Sequence, residues 1–199
     1  MKTKEESRFE MVKERHKKSF FEAMKNKKAD EQMISLCKYI SKTKNFFTSS
    51  SCAGRIVLLD TEKSGGKKEA SFHEKWHRQI SLKELIKGIN KKQKEEELWF
   101  KLDPFILHLG TNSLENAKKI LETTKKAGIR RAGIMVAKEG KFIVELIGSQ
   151  TMAFPVKVKN EVLVEEKYLK RIVKKANEKL EKNYSQLKEF EKILKKALK

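Results

Sequence analysis

The sequence predicts an α+β fold: a mixed or antiparallel sheet flanked by N-terminal helices and a long C-terminal helix, with no Rossmann core. Three observations lead there. Short apolar runs bounded by turn residues recur at 55–60, 98–102, 105–109, 134–137, 141–147 and 151–158, the pattern of strands. Both chain ends instead carry apolar residues at helical spacing. No GxGxxG follows the first strand-like run and no Walker A loop occurs, so the phosphate-cradling turns of dinucleotide and P-loop folds are missing.

In chain order, Phe9, Val12, Phe20 and Met24 fall roughly on one helical face over residues 8–24. A second helix starts near Asp30, an N-cap residue type, with Met33, Ile34, Cys37 and Ile40 inward. Phe46-Phe47 leads into a Ser-rich loop, Thr48-Ser49-Ser50-Ser51-Cys52-Ala53-Gly54, and then a buried strand. Gly65-Gly66 between lysines reads as a turn. The segment 71–78 has no clean period. Ser81 with Glu84 forms a capping-box pattern for a helix running to about Asn90. Asp103-Pro104 interrupts the strand 98–102, which resumes at Phe105. Asn112 with Glu115 forms another capping box, with Leu114, Ala117, Ile120 and Leu121 on one face and Gly128 closing the helix. Gly140 turns between two strands, and Pro155 places the strand 151–158 at a sheet edge. From about Val164 one amphipathic helix keeps Leu169, Ile172, Val173, Ala176, Leu180, Leu187, Phe190 and Leu194 on one side and lysines on the other. No repeat or linker divides the chain, so 1–199 reads as a single domain with 164–199 as a basic C-terminal helix.

Of the 199 residues, 38% are hydrophobic and 37% charged, enough for a core but a lean one. The net charge of +20 points to a polyanionic partner, nucleic acid first and an anionic membrane surface second. Surface ion-pair networks of a thermophile would explain the many charges but not the excess of positive ones. No apolar stretch is long enough for a transmembrane helix, and the N-terminus is charged from its second residue, so the expected location is cytoplasmic. Two cysteines make neither a disulfide framework nor a zinc quartet, and four histidines lack the HExxH spacing, so no metal is expected. No obligate protein partner is evident.

Three clusters could carry chemistry. Ser50, Ser51, Cys52, Gly54 and Arg55 gather hydroxyls, a thiol, a tight turn and a guanidinium, a set suited to a phosphate, a carboxylate or a polar ligand edge. The alternative is a plain Ser-rich connection. Lys75-Trp76-His77-Arg78 offers a base, a stacking ring and two cations, and Pro104-Phe105-Ile106-Leu107-His108 a second imidazole. A surface-bonded His77, a core His108 and core tryptophans are the competing readings. Arg130-Arg131 before a strand could join Arg78 and Lys75 on phosphates.

At these clusters the sequence resembles the tRNA wybutosine-synthesising protein 3 family in its stand-alone archaeal form. Phe47-Thr48-Ser49-Ser50-Ser51-Cys52-Ala53-Gly54-Arg55-Ile56 matches that family's SSCSGR motif, and Lys75-Trp76-His77 its KWH element. Trp99 with Pro104-Phe105-Ile106-Leu107-His108 matches its tryptophan strand and P-x-I-L-H, and Gly128-Ile129-Arg130-Arg131-Ala132-Gly133-Ile134 its glycine-basic segment. The order holds over about residues 8 to 180. Ala53 and Ala132 replace common serines, so neither position offers a side-chain ligand. The resemblance implies a non-Rossmann enzyme that uses S-adenosylmethionine to methylate N4 of 7-aminocarboxypropyl-4-demethylwyosine. That tricyclic guanosine derivative lies next to the anticodon of phenylalanine tRNA. His77 is then the first candidate for the base that takes the N4 proton and His108 the second. Trp76 would sandwich the modified base. Ser50, Ser51, Cys52, Gly54 and Arg55 would hold donor or substrate, and Lys75, Arg78, Arg130 and Arg131 the RNA. A non-catalytic basic RNA-binding protein is the alternative.

Overall fold

A computed structural model describes residues 3–62 and 70–198; the Gly65-Gly66 turn lies outside the described residues. In chain order the elements are α1 (Lys4–Lys25), α2 (Glu31–Lys42), β1 (Phe46–Cys52), β2 (Arg55–Thr61), β3 (Ser71–Trp76), α3 (Leu82–Ile89), β4 (Glu97–Asp103), β5 (Ile106–Thr111), α4 (Leu114–Lys126), β6 (Arg131–Lys138), β7 (Lys141–Ile147), β8 (Met152–Val158), β9 (Glu161–Val162) and α5 (Glu166–Ala197). All strand pairs described are antiparallel, in two sheets ordered β1-β5-β7-β6 and β3-β2-β4-β8-β9. The fold is therefore α+β with helices at both chain ends, as the sequence predicts, and its strands divide between two sheets.

The chain forms two compact units. The first takes the chain up to Ala53, Phe105–Ser149 and the chain from Tyr184 onward; the second takes Gly54–Pro104 and Gln150–Asn183. The chain thus passes between units inside the Ser-rich motif and again at Pro104-Phe105.

In the first unit, strand alternation sorts the four-stranded sheet into two faces. Leu107, Leu109, Val144 and Leu146 point to one face and are fully buried. Helix α2 covers this face, and its buried Cys37 thiol donates to Ser51 Oγ at 3.8 Å. On the other face α1 buries Phe9 against Phe47, ring centroids 5.6 Å apart, with Ile143 beside them. Thr3 and Glu6 cap that helix reciprocally. Gly110 lies opposite Phe47, and a Cβ there would fall 2.1 Å from the Phe47 ring. Only glycine lets this ring lie flat on the strand.

In the second unit, Ile56, Leu58, Leu98, Phe100 and Leu102 fill the sheet core. Helix α3 is fixed by the Ser81–Glu84 capping box and packs Gly88 so tightly that a Cβ would sit 2.8 Å from Leu58. Two buried charges have their partners. Asp60 accepts the Lys94 and Glu95 N–H groups at 2.7 and 3.1 Å, and Lys157 donates to the carbonyls of Ile89 and Lys91 at 3.1 and 3.3 Å. The ammonium therefore closes the C-terminal end of α3, where the helix dipole favours a cation. Residues 166–183 of α5 belong to this unit and residues 184–197 to the first; all eight residues predicted inward on this helix are buried.

Several expectations are corrected. The Ser-rich segment is strand β1, because its backbone pairs with β5 across a bulge between Thr48 and Ser50. Residues 71–76 are strand β3 in spite of their irregular pattern. Asp103-Pro104 does not interrupt one strand but separates β4 and β5, which lie in different sheets. Ser113, not Asn112, caps α4, accepting the Asn116 N–H at 3.2 Å; the one-residue shift leaves Leu114 exposed and buries Thr123 and Thr124 instead. Ile34 is half-buried, and Leu36 takes the inward position on α2. Pro155 is not on the outermost strand: β8 is flanked by β9, but β9 pairs only with Lys157 and Val158, so the proline sits on an otherwise unflanked stretch beside a register shift at Leu98/Trp99.

Candidate functional site

In the first unit, strand register builds a polar row across the sheet. Ser50 on β1 lies opposite His108 on β5, His108 opposite Glu145 on β7, and Glu145 opposite Gly133 on β6. Residues directly opposite in antiparallel pairs point to the same face, so the hydroxyl, imidazole and carboxylate stand side by side. His108 Nε2 lies 2.8 Å from Glu145 Oε2, and the two side chains remain 28% and 21% exposed. With its proton on Nε2 donated to this carboxylate, His108 presents Nδ1 as its basic nitrogen. At Gly133 a Cβ would meet nothing within 4 Å, so the row ends in open space. This is a carboxylate-oriented base with room beside it, on the same face as the Phe47–Gly110 contact and two residues along β5.

The neighbouring end of β1 is held from α2. Asp30 is the N-cap of α2, yet its carboxylate makes no cap bond; it accepts the Ala53 N–H at 2.7 Å. A helix-capping residue is thus spent on fixing the Ser50-Ser51-Cys52 end. Ser50 and Ser51 are exposed and Cys52 is half-buried. Burial raises the Cys37 thiol above its usual range. Arg130 and Arg131 are exposed before and at the start of β6, three and two residues from Gly133.

In the second unit, Gly54 adopts φ +98°, a conformation that favours glycine, and a Cβ there would sit 3.1 Å from both the Asp103 carbonyl oxygen and Asn183 Nδ2. Asn183 is completely buried, and its Oδ1 and Nδ2 have no hydrogen-bond partner among the described residues. Arg55 donates from Nε to Asp103 Oδ2 at 2.9 Å, and its guanidinium carbon lies 4.6 Å above the Phe72 ring. Lys75 Nζ is 5.4 Å from the same ring, which is 49% exposed. One exposed ring thus carries two cations against it, each attracted by its π face. Trp76 is half-buried. Its ring edge would touch a Cβ at Gly88 at 3.4 Å, and it lines a 200 Å³ pocket with Glu74, Glu84 and Lys87. His77 is exposed at the end of β3. Arg78 donates to Glu84 at 2.6 Å; this pairing raises the arginine above its usual range and holds the Glu84 carboxyl down at about 2.

The predicted residues are therefore gathered in part. Ser50 and His108 meet in one row, and Arg55, Lys75 and Phe72 form another group. Arg78 is committed to Glu84. Glu145, Phe72 and Asn183 were not predicted. A glutamate in an apolar strand and an asparagine on the apolar stripe of α5 were the available signals for the first and last. Phe72 gave none, because β3 lacks clean alternation.

A family model, Methyltransferase TYW3, matches residues 7–196. A protein of Pyrococcus horikoshii named tRNA(Phe) 7-((3-amino-3-carboxypropyl)-4-demethylwyosine(37)-N(4))-methyltransferase 1 is 34% identical, over 92% of this chain and 93% of its own. One of Archaeoglobus fulgidus with the corresponding methyltransferase name is 31% identical over 90% and 89%. The solved structure of the PH1069 protein from Pyrococcus horikoshii superposes with a TM-score of 0.89 at 32% identity, covering 96% of both chains.

Proposed function

The chain belongs to the methyltransferase TYW3 family, and from that premise we propose that it transfers a methyl group from S-adenosylmethionine to N4 of 7-aminocarboxypropyl-4-demethylwyosine beside the anticodon of phenylalanine tRNA. The observation that carries the catalytic reading is the His108–Glu145 pair flanked by Ser50 and the open position at Gly133.

When bound, the donor supplies a methyl carbon on a sulfonium, an electrophile that needs no further activation. The residues present suit it. The amide of Asn183, unpaired among the described residues and beside the glycine turn at Gly54, would offer its N–H to the carboxylate and its oxygen to the ammonium of the donor's amino-acid end. The protein's task is to orient the ring nitrogen and take its proton. Transfer would exchange the donor's S–C bond for an N4–C bond, the electron pair staying on sulfur, and the chain's part would be to take the N4 proton on an imidazole. His108 is the better-built acceptor, because Glu145 fixes its tautomer and stabilises the imidazolium; His77 is the second. Ser50 offers a hydroxyl to a polar ring edge. In the second unit, Trp76 and the Arg55–Phe72–Lys75 group would offer aromatic and cationic contacts to the RNA; in the first, Ser51, Cys52, Arg130 and Arg131 would offer further polar ones.

The reading is tested with labelled donor and tRNA carrying the 4-demethyl base. One methyl on that nucleoside supports it. Retention of the tRNA without label would support a non-catalytic RNA-binding protein instead.

A further inference from the structure

A groove of about 540 Å³ lies in the first unit between α1 and the β6–β7 turn. Its floor is apolar, made by Phe9, Val12 and Phe47 of the α1 core cluster, with Met11 standing 68% exposed at the rim. Its rim is cationic. Lys4, Arg8 and Arg15 stand on α1, and Lys138 and Lys141 flank the turn, against only Glu5 and Glu139. Lys4, Arg8, Met11 and Arg15 are spaced four, three and four residues apart, one stripe of the helix about 16 Å long. Gly140 at φ +66° brings the turn against α1, where a Cβ would sit 3.0 Å from that of Glu5.

None of the five basic side chains is taken up by an ion pair among the described residues. Their field is felt nearby. His16, stacked on Phe47 at 5.1 Å, is held below its usual range by burial first and then by Arg15 and Lys141. Such an uncompensated cluster recruits a polyanion. The groove is concave, walled by a hairpin turn and floored by apolar side chains. That shape fits a sugar-phosphate strand with cations along its edges better than the flat surface of a bilayer.

We propose that this groove is an RNA-backbone site, holding phosphates of the tRNA substrate while the Ser50–His108–Glu145 row of the same unit engages the target nucleotide. It rests on the reading that the substrate is tRNA. Of the residues singled out as motifs in the sequence, only Phe47 reaches it.

The test is direct tRNA binding without donor, as a function of salt, so that it does not depend on methyl transfer. Removing three phosphate contacts in the Arg8→Ala/Arg15→Ala/Lys141→Ala variant lowers the slope of log affinity against log salt by about 2 to 3 and weakens binding on the order of a hundredfold at 0.1 M salt. Glu139→Lys, which adds a cation on the exposed turn, raises affinity about tenfold, a gain that unfolding cannot mimic. In the methylation assay the triple variant raises KM and leaves kcat unchanged. Unchanged slope and affinity in both variants would overturn the proposal. So would weaker binding in both, or capture of wild-type protein by phosphatidylserine vesicles in preference to tRNA. Absence of methyl transfer with the binding pattern intact would leave this groove standing and remove the enzymatic reading.

Discussion

Two glycines in the first sheet are predicted to respond in opposite ways to the same substitution. In Gly110→Ala the new methyl would lie 2.1 Å from Phe47 Cζ and 2.3 and 2.5 Å from its ring neighbours, where contact needs about 3.5 to 4 Å. The ring must retreat by roughly 1.5 Å, yet Phe47 is 2% exposed and enclosed by Phe9 and Ile143. Overpacking of this kind costs about 1 to 3 kcal/mol. The reduced entropy of the unfolded chain returns about 0.4 to 1 kcal/mol, so mid-range values of the two terms leave a net destabilisation of about 1 to 2 kcal/mol. For a chain of this size that lowers Tm by about 2 to 8 °C. In Gly133→Ala the methyl meets nothing within 4 Å, so only the entropy gain remains and Tm is unchanged or slightly higher. Thermal unfolding by circular dichroism measures both, and Phe47→Leu in the Gly110→Ala background should recover part of the loss. An unchanged or higher Tm for Gly110→Ala would refute the packing argument.

Four further outcomes are expected. Gly133→Leu should fold normally but lose methyl transfer, because it fills the space beside the His108–Glu145 pair; full activity would show that no substrate uses that space. Glu145→Gln should lower kcat about 10- to 100-fold with little change in KM, since the carboxylate orients the imidazole rather than the substrate; unchanged kcat would remove His108 from proton transfer. The Glu84 carboxyl should titrate near 2 by NMR, against an ordinary value near 4.3. Its depressed folded value makes its stabilising contribution present above about pH 4 and lost as pH falls toward 2, so Glu84→Gln should narrow its stability gap to wild type over that window; a midpoint above 4 would contradict the Arg78 pairing. Iodoacetamide at pH 8 should label Cys52 before Cys37, whose thiol is fully buried and raised by that burial.

Much of the fold was legible because amphipathic periodicity and capping chemistry are local. The inward stripe of α5, the Ser81–Glu84 box and the Gly128 and Gly140 turns needed no tertiary information. Local reasoning failed where pairing decided the outcome. Thr48 to Cys52 is too polar to read as a strand, and only pairing with β5 across a bulge makes it one. Asp103-Pro104 looks like a break in one strand because sequence cannot show that the flanking strands enter different sheets. The site was legible to the same extent. His108 and Ser50 carry recognisable chemistry, but their meeting depends on register. Glu145 becomes informative only when β7 places it opposite His108, and Asn183 only when burial strips it of partners. The basic groove lay hidden in the net charge, which counts cations without locating them.

The central claim is most directly tested by mass analysis of the nucleoside from phenylalanine tRNA bearing the 7-aminocarboxypropyl-4-demethyl base, after incubation with S-adenosylmethionine and either wild-type protein or His108→Ala. Wild type should add one methyl to that nucleoside, and the variant should lose the transfer or slow it severely. Folded wild-type protein that binds the tRNA and adds no methyl would contradict it.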